Sequence, residues 1–252
     1  MITQRLEPKL ALIEIELPQE AFLESWKPSM LRAPGMDMLK VSLSKPSDMV
    51  DHVSVWNWNG SALDEGENAA EWLSKYLSRT SRLVRFDSAS QTRATDPNFA
   101  DGYKTMFSDQ FPFMVISQGS LDALNDILEE PIPINRFRPN ILVEGCKPFS
   151  EDLWKEIKIN KLTFYGVRLC SRCKIPSINQ ETGVPGSEPA NTLKGFRSDA
   201  ILLPNKKSQG QTYVGQHLVC KDCYTENMDK VIQVGDPVYV VQQLSSTAEA
   251  AA

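Results

Sequence analysis

A chain of 252 residues is long enough for one large domain or two small ones around a real hydrophobic core. With 41% apolar residues, 23% charged residues and a formal charge of -5, it has the balance of a globular protein and argues against nonspecific nucleic-acid binding. No apolar run reaches the roughly 18 residues a bilayer-spanning helix needs, and MITQRLEPKLAL at the N-terminus lacks the apolar run and cleavage site of a secretory signal.

Apolar side chains recur at a period of two over Leu10–Leu17 (LALIEIEL), Leu39–Leu43 (LKVSL) and Val53–Trp58 (VSVWNW). That period predicts three strands, each with one wet face, with turns at Pro34-Gly35 and Asn59-Gly60. Ala69, Trp72, Leu73, Tyr76 and Leu77 change to helical spacing, with Asp64 and Glu67 as capping partners. Arg82–Phe86 returns to alternation, and residues 87–105 read as a long loop. FPFMVIS (111–117) predicts a strand running into a helix with the stripe Leu121, Leu124, Ile127 and Leu128, capped by Ser117 or Ser120. Ile141–Val143 reads as a short buried strand and Ile157–Val167 as a hairpin turning at Asn160-Lys161. Residues 180–210 are loop-rich, Pro237–Val241 closes the pattern as a strand, and Ser245–Ala252 reads as a frayed tail. Many short strands with few helices predict an α+β fold containing a barrel-like sheet.

Cysteines stand at 146, 170, 173, 220 and 223. An odd count with two close Cys-x-x-Cys pairs is unlike a secreted disulfide framework, so reduced thiols serving as metal ligands or redox groups are expected. Three readings of Cys170-Ser171-Arg172-Cys173 stay open. The cysteines are core residues, or they share a four-thiolate zinc site with Cys220 and Cys223, or one is a lone thiolate held ionised by Arg168 and Arg172. Arg136 and Arg138, flanking Phe137 before Pro139, are either surface charge or guanidinium forks aimed at a phosphate. Asp109, just before the FPFMVIS strand, is by itself a turn residue. His52 and His217 form no ligand cluster, and with no histidine near Cys173 in sequence a Cys-His hydrolase lacks support.

FRPNILVEGC (137–146), Trp154 and VRLCSRCKIPSINQETG (167–183) together resemble the MOSC-domain proteins, and among them the amidoxime-reducing family, especially its plant members. The likeness runs from about Thr3 to about Val241. It implies an α+β architecture: a MOSC N-terminal β-barrel domain over 1–87 with its first strand missing, a MOSC domain with a barrel-like mixed sheet and peripheral helices over 88–244, and a disordered tail over 245–252. It also implies a molybdenum–pterin cofactor with Cys173 as the protein ligand to the metal. By the same resemblance Arg138 grips the cofactor's phosphate and Arg5 is another basic contact to it. Ser171 and Arg172 lie in the loop that carries the cofactor, and Asp109 and Asn140 are polar positions close to the metal. Arg197, in LKGFRSD, belongs to another recognisable segment.

Chemistry agrees with those assignments. One thiolate completes the sulfur set of a soft metal held by a dithiolene, and a buried phosphate needs forked cationic donors. The implied reaction is two-electron reduction of N-hydroxylated substrates such as amidoximes and hydroxylamines, supplied with electrons by a b-type haem protein and its flavin reductase. Family members begin further upstream, with a strand carrying a cofactor-binding lysine, so this chain is expected to lack that strand, that lysine and any upstream targeting or membrane segment. The compartment implied is mitochondrial or mitochondrial-membrane-associated, and cytoplasmic if the protein is truly truncated. Two alternatives stand beside this reading, a nonenzymatic molybdenum-cofactor-binding protein and an interaction protein stabilised by zinc on four cysteines. Pyridoxal phosphate, bound by a separate domain of the related cofactor sulfurases, has no matching lysine motif here.

Overall fold

Proline at position 8 fixes φ and removes an N–H, and in the computed structural model, which describes residues 1–18, 28–223 and 231–250, the chain starts with a 3-10 turn over Pro8–Leu12. The strand expected from Leu10 therefore begins only at Glu14, as β1 (Glu14–Glu16), with all three residues exposed. It pairs antiparallel with β2 (Ser29–Arg32), which pairs with β3 (Leu39–Val41). A second sheet joins β4 (Met49–Val55), β5 (Trp58–Asp64) and β6 (Val84–Arg85).

The expected single strand Val53–Trp58 is a hairpin instead, turning at Trp56, whose φ is 53°. Asn59-Gly60 is no turn but lies inside β5. Gly60 is needed for close approach: a Cβ there would meet the Trp58 ring at 2.4 Å and Gln91 Oε1 at 2.5 Å.

Helix α1 (Glu67–Leu77) follows as its spacing predicts, burying Ala69, Trp72 and Leu73 against Leu31, Leu39 and Val41 of β2 and β3. Asp64 prepares its start by accepting from Gly66 N at 2.9 Å and pairing with Arg82 Nε at 2.5 Å, while Glu67 pairs with the same guanidinium at 2.7 Å. These elements make one compact unit, Met1–Arg93, which also takes in Ile178–Pro185. Within it Gln4 Nε2 donates to Gln180 Oε1 at 3.3 Å.

Ala94–Ser177 and Gly186–Ala252 form the second unit. The segment expected as a plain loop over 87–105 carries two short strands, β7 (Arg93–Ala94) and β8 (Lys104–Thr105), and a turn of helix, α2 (Pro97–Ala100), capped by Asp96. Strand β9 (Phe113–Ser117) then runs directly into α3 (Gln118–Asn125), whose N-cap Ser117 accepts from Ser120 N at 3.1 Å. Because α3 ends at Asn125, Ile127 falls off the expected stripe and is exposed, whereas Leu121, Leu124 and Leu128 are buried.

Strand β10 (Ile141–Val143) lies parallel to β9. The expected hairpin is β11 (Trp154–Ile159) and β12 (Leu162–Ser171), with Asn160 at φ 53° in its turn. Two helices, α4 (Ala190–Phe196) and α5 (Asp199–Leu202), occupy the stretch read as loop. Strand β13 (Tyr213–Cys220), absent from the sequence reading, has all eight residues buried. Its Gln216 and His217 interrupt any alternation, and a strand covered on both faces has none to show. Strand β14 (Val238–Gln243) completes the sheet, and α6 (Thr247–Ala250) stands where a frayed tail was expected, with Ala250 buried beside Leu169, Leu203 and Tyr213.

The six strands run in the order β10-β9-β13-β12-β11-β14. The sheet curls into a half-barrel without closing, and with its peripheral helices it is the barrel-like mixed sheet of an α+β fold that was expected. Its two edge strands, β10 and β14, both line one apolar groove of about 820 Å3. Alternation along β9 separates two cores: Met114 and Ile116 pack with Leu124, Phe137 and Cys170, whereas Val115 packs with Trp154, Phe164, Leu218 and Cys220.

Candidate functional site

Strand β12 delivers Cys170-Ser171-Arg172-Cys173 at its C-terminal end. The ladder to β13 persists past the strand's formal end, because Arg172 N donates to Thr212 O at 2.7 Å. The Arg172 guanidinium then reaches back across the sheet. It donates to Cys170 Sγ at 3.0 Å, to Met114 Sδ of β9 at 2.9 Å and to Phe137 O at 2.9 Å. It also lies over the Phe137 ring, 5.2 Å from the centroid. One side chain thus ties the cysteine loop, β9 and the FRPN turn together. Cys173 follows it as a free, half-buried thiol.

Cys170 is free but buried. Burial resists its ionisation, yet the Arg172 and His217 charges and their hydrogen bonds to the sulfur outweigh that resistance and bring the thiol down to about 7. The expected pair of arginines is therefore only half right. Arg172 acts on Cys170, whereas Arg168 stacks on the Phe99 ring at 4.4 Å. His217, which sequence reasoning set aside, faces Met114 across the β13–β9 ladder and has Phe111 against its ring at 5.0 Å. Its Nδ1 and the Nε of Arg172 are buried polar atoms with no hydrogen-bond partner among the described residues. No sequence signal marks His217, because its partner Cys170 is 47 positions away and their meeting depends on the unpredicted β13.

The FRPN turn is built from a 3-10 turn over Ile134–Arg136 and a buried Phe137. Arg138 takes φ 56°, which throws its side chain to the exposed side, and no carboxylate pairs with it among the described residues. Asn140 returns the chain to the sheet: its N donates to Met114 O at 3.0 Å and its Oδ1 accepts from Met114 N at 2.9 Å. Its carbonyl oxygen is thereby committed to β9, leaving the amide Nδ2 for other work. Asp109 is exposed in the bend just before β9. Ser171 is half-buried and faces a cleft with Tyr213 rather than the Cys170 core. Arg5 lies in the first unit, its guanidinium 4.7 Å from the Trp56 centroid.

Contacts therefore join Arg172, Cys170, Phe137 and Met114, with Asn140 bonded to the same strand. Arg197 proves to be a core residue. Its guanidinium is buried against Asp152 Oδ2 at 2.6 Å and Tyr213 O at 2.9 Å, over the Phe149 ring. Burial pushes Asp152 up to about 6, with the Arg197 charge and hydrogen bond opposing it.

The four-thiolate zinc reading is overturned. Cys220 and Cys223 are joined to each other as a disulfide, so the expectation of reduced thiols holds for Cys146, Cys170 and Cys173 alone. In the β12–β13 register Cys220 faces Phe164 while Ser171 faces Tyr213, which puts the two cysteine pairs roughly 20 Å apart along the ladder. Among the described residues no three His, Cys, Asp or Glu side chains gather as a metal site.

Residues 102–239 match the MOSC domain, and residues 1–80 match the MOSC N-terminal beta barrel domain. The chain is 33% identical over 249 residues to mitochondrial amidoxime reducing component 2 of Bos taurus, covering 96% of this chain and 70% of that protein. It is 31% identical over 250 residues to mitochondrial amidoxime-reducing component 1 of Homo sapiens, covering 96% and 70%. Component 2 of Rattus norvegicus is 32% identical over 251 residues, covering 95% and 69%.

Proposed function

Because this chain belongs to the MOSC-domain family that includes the mitochondrial amidoxime-reducing components, we propose that it is a molybdenum-cofactor-dependent reductase of N-hydroxylated compounds, amidoximes and hydroxylamines among them. The observation that carries this reading is Cys173, a free and half-exposed thiol at the end of a strand anchored by Arg172.

The residues present fit such a cofactor on their own chemistry. Cys173 offers one soft thiolate. Arg172 Nε and His217 Nδ1, buried and without a hydrogen-bond partner among the described residues, are polar groups whose burial is unfavourable unless something accepts from or donates to them. Arg138 is a guanidinium without a carboxylate among the described residues, suited to the cofactor's phosphate. In this reading Cys173 holds the metal, Arg138 holds the anionic end, a role the family resemblance also gives Arg5, and Ser171 and Arg172 fix the loop that carries the thiolate. The bound group supplies the two-electron chemistry that turns an N-hydroxylated substrate into the amine-type product and water. Asn140, through Nδ2, orients the substrate, and Asp109 orients it or hands over a proton. Electrons come from a b-type haem protein and its flavin reductase, and the compartment is mitochondrial, as for the named relatives.

The test compares molybdenum content and benzamidoxime reduction, with an artificial electron donor, for the purified chain and its Cys173→Ser variant. Molybdenum present in the parent and lost from the variant, together with the activity, is the expected result. Equal molybdenum in both overturns the ligand assignment. Molybdenum retained without reduction turns the proposal into one of cofactor binding alone.

A further inference from the structure

Leu169 and Ser171 alternate with Cys170 along β12, and on their side a separate cluster forms from Leu169, Leu203 and Tyr213. A cleft of about 490 Å3 opens there, lined by Arg168, Ser171, Asp199, Lys206, Lys207 and Tyr213. Three cations converge on it in a chain whose net charge is -5. None of the three is in an ion pair among the described residues.

Asp199, the carboxylate in the lining, offsets one of the three charges but forms no ion pair with any of them among the described residues. Its oxygens already accept from Ser208 Oγ at 2.6 Å, Gln209 N at 2.6 Å, Ala200 N at 2.9 Å and Gln211 N at 3.2 Å. These bonds, that from Ser208 foremost, hold the carboxyl below its usual range. They also fold the loop that carries Lys206 and Lys207 back over the cleft. The lysines are thus presented by a built turn, and Arg168 is aimed by its stacking on Phe99. Burial, with Asp199 adding to it, pushes the Tyr213 phenol up, so its hydroxyl stays a neutral donor.

We propose that this cleft binds the phosphate group of a small soluble metabolite, at a site separate from the Arg138 position. A tetrahedral dianion matches the donor set better than a carboxylate does. One guanidinium fork, two ammonium groups and two hydroxyls line it, and with Asp199 offsetting one of the three cations a dianion matches the remaining charge where a single negative charge would not. The volume exceeds that of bare phosphate and leaves room for a sugar-sized body against Phe99 and Leu203. Ser171 is shared with the loop assigned to the molybdenum cofactor, but the charge that carries this reading comes from Arg168, Lys206 and Lys207, which belong to no part of that assignment.

Calorimetric titration of the full chain, with whatever cofactor it carries on purification, tests the site with ribose 5-phosphate against ribose. Saturable binding of the phosphate ester and none of the free sugar is expected. Arg168→Gln and the double variant Lys206→Gln/Lys207→Gln should each weaken it about tenfold or more, with Arg138→Gln leaving it intact and circular dichroism verifying the fold of every variant. No saturable binding overturns the proposal. So does an equal loss in Arg138→Gln, which would put phosphate recognition at the cofactor grip, and so does binding confined to phosphatidic acid vesicles, which would make the ligand a lipid.

Discussion

One antiparallel ladder carries a Cys-x-x-Cys motif at each end, and the two have gone opposite ways. At the far end of β13 the chain turns tightly. Lys221 N donates to Thr163 O at 2.9 Å and Asp222 Oδ2 accepts from Thr163 N at 2.8 Å, so the turn folds Cys223 back onto Cys220. At the end of β12 the intervening arginine keeps the strand going, through Arg172 N to Thr212 O at 2.7 Å, and Cys170 and Cys173 stay apart as free thiols. Identical spacing therefore says little about chemistry. What decides is whether the two residues between the cysteines close a turn or extend a ladder.

Substitutions at the two ends should respond very differently. The largest contrast is in metal. Cys173→Ser is expected to remove essentially all molybdenum and reductase activity and Cys223→Ser neither, as metal analysis of both purified variants would reveal. Comparable losses would mean that the ends are not distinct. Next is Arg172→Met, which strips three hydrogen bonds from a partly buried cation. A loss of about 3 kcal/mol is expected in chemical denaturation, and a stability unchanged within error would deny Arg172 its tying role.

A smaller effect is the pH dependence of Cys170. Its thiol titrates near 7 in the folded chain against an ordinary 9.0. The unfolded chain therefore holds a proton that the folded chain has released between those values. Stability should rise as pH climbs from about 7 to about 9, by on the order of 2 kcal/mol, and be lost as pH falls back through 7. Cys170→Ala should flatten that slope, and a parallel slope in the variant would locate the titration elsewhere. The smallest effect belongs to the closed pair. A disulfide spanning three positions removes little loop entropy, so Cys220→Ser/Cys223→Ser should cost no more than about 2 kcal/mol in thermal unfolding.

The parts legible in sequence are those decided locally. Helical spacing predicts α1, a continuous apolar run ending in serine predicts the β9–α3 junction, and Asn160 marks the β11–β12 turn. The FRPN and CSRC motifs bring out Arg138, Arg172 and Cys173 as candidates before any fold is known. Legibility fails where tertiary contact overrides the local pattern. Strand β13 is hidden because both faces are covered, and Gly215 within it is there for room. A Cβ would stand 2.6 Å from Ile116 Cγ1 and 2.7 Å from Val115 O. The Arg168–Lys206–Lys207 cleft is invisible for a related reason: residues distant in sequence line it together, and Asp199 ties down Ser208 and Gln209 just after the two lysines.

An arc of strands with two free margins does not breathe evenly. Amides of β10 and β14, each with one side unpaired by any strand among the described residues, can trade hydrogen for deuterium through small local openings, whereas those of β13, flanked by β9 and β12 and wholly buried, must wait for the unit to come apart. Both cysteine motifs are moored to that slowest strand, and the exchange clock of each would be set by its tether to β13.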